Sequence, residues 1–291
     1  MAVRTISANQ IKDAVIDAIG EMFCRPTPET AELLRQARDG EKNEIARDML
    51  DAILENHELA VREQLPLCQD TGLLVVFAEL GTEIHVEGGT LESLIGEAAH
   101  DAWQQFHLRD SIAAYPQRNS FSDKGMEVQG KRSGNPRLPV VLHLEQVPGD
   151  QLTLHLALKG GGAENCGKLK MFLPGAKLEE IEDFVVRTVV DAGGKPCPPV
   201  FVGVGIGGDF ESCAILAKRA LMLEEPKDAD IEQMEGRILQ RINLMGKGVM
   251  GFAGNTTALK VSILTRPRHI ASLPVAVNID CHAHRSTSRV I

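Results

Sequence analysis

Aromatic side chains are scarce in this chain. They make up 4% of its 291 residues, and Trp103 and Tyr115 are the only tryptophan and tyrosine. That scarcity argues against a stacking platform for single-stranded nucleic acid. Positive charge is not in excess: the formal net charge is −9, which speaks against a broad phosphate-binding face. A small anionic substrate stays compatible with that balance, because one arginine cluster in a pocket outweighs a distant acidic surface. No apolar run approaches the ~20 residues needed to cross a bilayer. The start, Met-Ala-Val-Arg-Thr-Ile, passes into a polar, helix-like segment with no signal-peptide core. The expectation is a soluble, cytoplasmic protein with no membrane or nucleic-acid partner. There are six cysteines (Cys24, Cys68, Cys166, Cys197, Cys213 and Cys281) and no C-x-x-C pair. Their spacing alone therefore carries no zinc or redox signature, and in a reducing compartment they are thiols or metal ligands, not disulfides. Internal repeats, heptads and low-complexity tails are missing too.

What is present is a mixed pattern. Hydrophobic residues reach 43%, enough for a sizeable core. The first third, to about residue 66, reads as helical. Ser7 caps a helix to about Phe23, Thr27-Pro28-Glu29 opens a second, and a third spans about Glu41 to Gln64 with Ile45, Met49 and Ile53 on one face. Leu73 to Leu80 reads as a buried strand, and helix returns from Leu91 to about His107. Residues 110–138, broken by Pro116, Gly125, Gly130, Gly134 and Pro136, read as a long loop of the kind that often carries function. Strands Leu138–Glu145 and Leu152–Leu158 flank Pro148-Gly149-Asp150 in a hairpin-type connection. Helices follow near 178–192, 211–223 and 231–245, and strands near 200–204, 258–264 and 275–279. Strands and helices mix without strict alternation, so the expected class is mixed α/β (α+β): one domain with mixed sheets packed by helices.

The chemistry-bearing residues gather in loops. Gly203-Val204-Gly205-Ile206-Gly207-Gly208 fits a dinucleotide fingerprint between strand and helix, but a second helix follows where a strand with an acidic ribose ligand should stand. A nucleotide-binding or regulatory module remains the alternative from another class; otherwise these glycines admit close backbone approach. Gly162–Lys168 and Gly125–Lys131 each lack the Ser or Thr of a P-loop. Cys68-Gln69-Asp70-Thr71-Gly72 joins a soft ligand, an amide and a carboxylate, and is equally an Asx-type turn. Pro196-Cys197-Pro198-Pro199 fixes a thiol in a rigid segment, and Cys281 follows an apolar run. Cys213, in mid-helix beside Ala214 and Ile215, reads as core packing. Cys281-His282-x-His284 could be read as a structural zinc site, although adjacent strand residues point to opposite faces.

Taken in order, Cys68–Gly72, Lys159-Gly160-Gly161-Gly162, Pro196–Pro199, the Gly-Ile-Gly-Gly turn, and Pro267-Arg268-His269 through Cys281 to Arg285 resemble the iron–sulfur hydro-lyases: class I fumarases and L(+)-tartrate dehydratases. The match covers nearly the whole chain and looks like the α subunit of the two-subunit form, residues 1–291 making the α-type catalytic domain. The resemblance implies a [4Fe–4S] cluster held by Cys68, Cys197 and Cys281, with one iron open to act as a Lewis acid. It implies that Asp70 orients or activates the base, that His269 serves in proton transfer to the leaving oxygen, and that Gln69, Arg109, Gly161 and, more weakly, Arg285 meet the substrate. Cys166 and Cys213 stand as possible substitute ligands. It further implies a β subunit that carries the smaller domain, an α₂β₂ assembly, and a small dicarboxylate substrate. Reversible hydration of fumarate to L-malate is the favoured reaction, and L(+)-tartrate dehydration the alternative.

Overall fold

A computed structural model describes residues 3–112 and 138–291. The long loop read at 110–138 therefore lies, from 113 to 137, outside the described residues, as do Tyr115 and the Gly125–Lys131 motif. The chain is mixed α/β, as its pattern implies, and it divides into two compact units. The first comprises the described residues of Met1–Thr27, Leu59–Lys159 and Arg285–Ile291; the second comprises Pro28–Glu58 and Gly160–His284.

In the first unit, Ser7 caps α1 (Ala8–Met22): its hydroxyl accepts the Gln10 N–H while the Gln10 side chain accepts the Ser7 N–H. Ile11, Val15, Ala18 and Ile19 recur at helical spacing and are all buried. They share a core with Leu94, Ile95 and Ala98 of α4 (Leu91–Gln105), and with one face of a sheet that includes β2 (Leu73–Gly81) and β5 (Leu152–Lys159). That sheet runs β10 (Ser286–Val290), β5, β2, β4 (Val141–Val147); β1 (Arg4–Ile6) and β3 (Ile84–Val86) pair in parallel beside it in sequence.

The hairpin expected around Pro148-Gly149-Asp150 does not form. β2 separates the two strands, parallel to β4 and antiparallel to β5. The connecting loop instead wraps the end of β2: Gly81 N–H donates to Gln151 O and Thr82 N–H to Val147 O. The wrap needs a glycine, since a Cβ on Gly81 would stand 2.3 Å from Gly149 O. The apolar run of β2 is buried on both faces, so it takes a central position with a neighbour on each edge.

In the second unit the sheet order is β6 (Lys168–Phe172), β9 (Leu273–Asp280), β7 (Val200–Gly208), β8 (Ala258–Arg268). Val202 and Val204 face a core completed by α6 (Leu178–Ala192) and α8 (Ala229–Met245), with Val185, Val189, Ile238 and Ile242. Gly203 and Gly205 point the other way, toward α7 (Phe210–Met222). A Cβ at these glycines would stand 2.1 Å from Ala217 O and 2.2 Å from Cys213 O, so α7 lies directly on the strand backbone. The glycine run extends β7 to Gly208, and its glycines contact protein backbone, in keeping with the close-approach reading.

One expectation shifts here. On α3 (Glu44–Glu63), Ile45 is exposed; the buried stripe is Ala46, Leu50 and Ile53, which pack against Leu34 of α2 (Pro28–Gly40) and Phe201. The neighbouring Glu41 carboxylate is buried and accepts three backbone N–H groups: Lys42 and Asn43 at 2.9 Å and Asn255 at 2.8 Å. It thereby holds the 248–255 segment, and Met250 N–H in that segment donates to Pro198 O.

Candidate functional site

In the first unit, three strand ends meet. Leu73 at the start of β2 pairs with Lys159 at the end of β5, and Ala157 pairs with Ser286 at the start of β10. The Cys68–Gly72 loop enters β2 at this end, and Arg285 enters β10 there, its carbonyl accepting the Leu158 N–H. The loop is the Asx-type turn read from its residues: Asp70 Oδ1 accepts the Gly72 N–H at 3.0 Å, and Gly72 has φ +84. The half-buried Cys68 Sγ accepts the Asp70 N–H at 3.5 Å and faces Gln69 Oε1 at 3.4 Å. Gln69 is exposed.

Arg285 is not a solvent-facing charge. It is 3% exposed, and its Nη2 donates to the Asp70 carbonyl at 3.2 Å. Its buried Nε has no hydrogen-bond partner among the described residues. A buried guanidinium N–H without an acceptor is costly, and it is a natural place for an anion to bind. Lys159, 5% exposed, puts a second buried cation at the same strand ends. Sequence reasoning quoted Lys159 only as part of its glycine motif. The available signal was a lysine closing a strand of buried apolar residues.

In the second unit, Cys197 and Cys281 come together. Phe201, at the start of β7, pairs with Asp280, the last residue of β9. Cys197 lies just before β7 and Cys281 just after β9, and the His282 N–H donates to Cys197 O at 3.5 Å. Cys197 is exposed, with φ +55, a conformation a non-glycine residue adopts only when its surroundings hold it. Here its N–H is tied to Gly194 O, and the following proline carbonyl to Met250 N–H. Cys281 is half-buried, and its N–H donates to Asp280 Oδ1 at 3.0 Å. The other Asp280 oxygen meets His284 Nδ1 at 2.7 Å, both side chains being buried, and the His284 ring lies 4.9 Å from Phe201. The carboxylate therefore braces the loop that carries Cys281. Two thiols on adjoining loops are soft donors suited to iron–sulfur chemistry.

The remaining sequence-predicted residues lie on other segments. His269 is exposed in the turn joining β8 to β9, where its Nδ1 accepts the Ala271 N–H at 3.1 Å, leaving the proton on Nε2. Arg109 is exposed beyond the C-terminal end of α4. Gly161 opens the single turn α5 (Gly161–Glu164) and is exposed. Cys166, half-buried, directs Sγ at Gly162 O. Cys213 is fully buried under α7 with Ala217 and Ala276, as core packing requires, and burial, aided by Asp209, pushes its thiol up to about 11. Among the described residues no group of three or more His, Cys, Asp or Glu side chains gathers to hold a metal ion within either unit. The zinc reading of 281–284 thus gains no support: His284 is turned into Asp280, and His282 lies over the His57 ring at 6.0 Å. No described helix is long and apolar enough to cross a membrane.

Known proteins bear on these half-built sites. A family model described as fumarate hydratase (Fumerase) matches residues 12–290. A protein of Methanocaldococcus jannaschii named "Putative L(+)-tartrate dehydratase subunit alpha" is 34% identical over 281 residues, covering 95% of each chain. The L(+)-tartrate dehydratase subunit alpha of Escherichia coli strain UTI89 is 27% identical over 286 residues, covering 96% of this chain and 90% of that one; the protein of the same name from strain K12 is 26% identical over the same length. With a family model spanning nearly its full length and a relative this similar, the chain belongs to the fumarate hydratase (Fumerase) family.

Proposed function

We propose that this chain is the α subunit of a two-subunit, iron–sulfur-dependent hydro-lyase that adds water to, and removes it from, a four-carbon dicarboxylate. The observation that carries the reading is Arg285: a buried guanidinium with an unmatched Nε N–H, fixed to the carbonyl of Asp70, in a chain of this family. An anionic group satisfies that donor, and a substrate carboxylate supplies one.

Cys68, Cys197 and Cys281 would hold the [4Fe–4S] cluster. The fit is chemical: thiols on tightly hydrogen-bonded loops, two of them adjoining. When bound, such a cluster supplies an open iron that acts as a Lewis acid on the substrate. The chain's own groups bind and orient. Arg285 takes one carboxylate, Arg109 offers a bidentate fork for another, and Gln69 and the Gly161 N–H complete the polar contacts. Asp70, pinned by the Gly72 N–H, orients the group that removes the weakly acidic proton next to the carboxylate. His269, with its proton on Nε2, donates to the leaving oxygen.

The relatives are named as α subunits, which supports a β partner, and we propose an α₂β₂ assembly in which the smaller domain and further substrate contacts come from β. The cytoplasm is the proposed compartment. L-malate and fumarate are the first substrates to test, following the family's description; the relatives' names favour a second reading, L(+)-tartrate. Coexpression with the β subunit, anaerobic purification and kinetics on both acids decide. Dehydration of either acid by a brown, iron-containing assembly is expected. Colourless protein with stoichiometric zinc, or one that retains nucleotide, would refute the reading.

A further inference from the structure

At the cysteine end of the second unit, a third segment joins the two thiol loops. Gly161 and Gly162 are exposed on the turn α5. A Cβ on Gly162 would stand 3.7 Å from the carbonyl of Lys195, two residues before Cys197, so the turn touches the Cys197 segment. The chain then leaves through β6, where Lys168 pairs with Val277, four residues before Cys281. The glycine turn, Cys197 and Cys281 are thus gathered at one end of one sheet.

The turn is too short to hold itself there. Its backbone closes through the Glu164 N–H to Gly160 O at 3.2 Å, the Asn165 N–H to Gly161 O at 3.1 Å and the Gly167 N–H to Glu164 O at 3.1 Å. A single helical turn carries the cost of nucleation with few bonds to offset it. The Glu164 side chain adds two ties to other elements. Its Oε1 accepts from Lys218 Nζ of α7 at 2.6 Å, and its Oε2 from Asn278 Nδ2 of β9 at 3.1 Å. Both donors sit on fixed ground. The Lys218 side chain is mostly buried, Asn278 is buried in a strand with a neighbour on each edge, and α7 packs on β9 through Ala217 and Ala276.

We infer that Glu164 is a positioning residue. It sets the Gly161–Gly162 backbone against the two cysteine loops, and so fixes where a dicarboxylate lies relative to Cys197 and Cys281. The effect on turnover rests on the hydro-lyase reading; the bracing of the turn stands on the contacts of Glu164. Because Glu164 acts through hydrogen bonds and not through proton transfer, glutamine should replace it. The glutamine oxygen keeps Lys218, and its NH₂ meets Asn278 once that amide turns over. Asn278 Oδ1, buried and without a hydrogen-bond partner among the described residues, then becomes the acceptor. Alanine keeps neither tie.

Two measurements on the coexpressed α–β assembly test it. Hydrogen exchange over residues 160–167, read by mass spectrometry, should quicken about tenfold or more in Glu164→Ala and stay within about threefold of wild type in Glu164→Gln. The kcat/KM for the acid that is turned over should fall about a hundredfold in Glu164→Ala and less than about threefold in Glu164→Gln. Should Glu164→Ala not fold, Lys218→Met removes one tie and should give the same pattern at about tenfold in kcat/KM. Alanine that exchanges like wild type, or glutamine as damaged as alanine, overturns the inference. Faster exchange with unchanged kcat/KM leaves Glu164 a merely structural residue and overturns it too. If exchange separates the two variants as expected while the wild-type assembly dehydrates neither acid, the hydro-lyase reading fails and the bracing stands.

Discussion

Glu41→Gln should destabilise the second unit by about 2–3 kcal/mol. The wild-type carboxylate is 2% exposed and accepts three backbone N–H groups, two on Oε1 and one, from Asn255, on Oε2. Glutamine can keep one oxygen toward Lys42 and Asn43. It must then turn an NH₂ donor toward the Asn255 N–H. One charge-assisted bond, about 1.5–3 kcal/mol, is lost and a donor is stranded. At 2–4 °C per kcal/mol, the thermal midpoint should fall by about 5–10 °C. The pH dependence adds a second check. Burial alone would raise the Glu41 carboxyl, but the Asn43, Asn255 and Lys42 N–H groups outweigh it and hold the pKa below the ordinary carboxylate value. A folded-state pKa below the unfolded one contributes stability above about pH 4.3, and that stability is lost as the pH falls through the folded value. The gap between wild type and Glu41→Gln should therefore narrow from pH 7 to about pH 3.5. Thermal melts of both proteins across that range are the assay. A midpoint within about 1 °C of wild type at pH 7, or a gap unchanged at low pH, would refute the reasoning.

Glycine substitutions should split by location. Gly205→Ala puts a Cβ 2.2 Å from Cys213 O, where backbone cannot yield, and should cost about 3 kcal/mol or prevent folding; Gly236→Ala, on the exposed face of α8 with open space around it, should stabilise by about 0.5–1 kcal/mol. Differential thermal melts separate the two. Thiol alkylation of apo-protein at pH 8 should modify the exposed Cys197 quickly and Cys213 slowly, because burial keeps the latter protonated up to about 11; mass spectrometry reads the order, and faster labelling of Cys213 would count against its core assignment. Arg285→Lys should raise the KM for the dicarboxylate more than tenfold, since an ammonium cannot both hold the Asp70 carbonyl and present the Nε donor. An unchanged KM would remove Arg285 from the substrate contacts.

Much of the fold was legible locally. Ser7 with Gln10 three residues on announces the start of α1, and the apolar run at 73–80 announces β2. The valines at even positions of β7 and the glycines at odd ones were legible as residues, but not as two faces, one for the α6–α8 core and one for α7. Long-range pairing is what the sequence hid. β2 enters between β4 and β5 although a short turn joins those two, and β10, Ser-Thr-Ser-Arg-Val, has no apolar pattern of its own and is a strand only because β5 offers it an edge. The burial of Arg285 depends on that pairing, so it could be read only as a charge of uncertain use. Likewise, Cys197 and Cys281 looked alike as loop thiols; their adjacency follows from the antiparallel register of β7 and β9. His269 stands only twelve residues before Cys281. Extended strand turns that short sequence separation into the length of a sheet.

The central claim is that Cys68, Cys197 and Cys281 hold one iron–sulfur cluster with an iron left for substrate. Mössbauer spectroscopy of the anaerobic α–β assembly, recorded with and without L-malate or L(+)-tartrate, tests it most directly. The expected result is a four-iron signal in which one iron shifts when the acid is added, and loss of that signal in Cys197→Ser. A spectrum without cluster iron, or four irons that all ignore both acids, would contradict it.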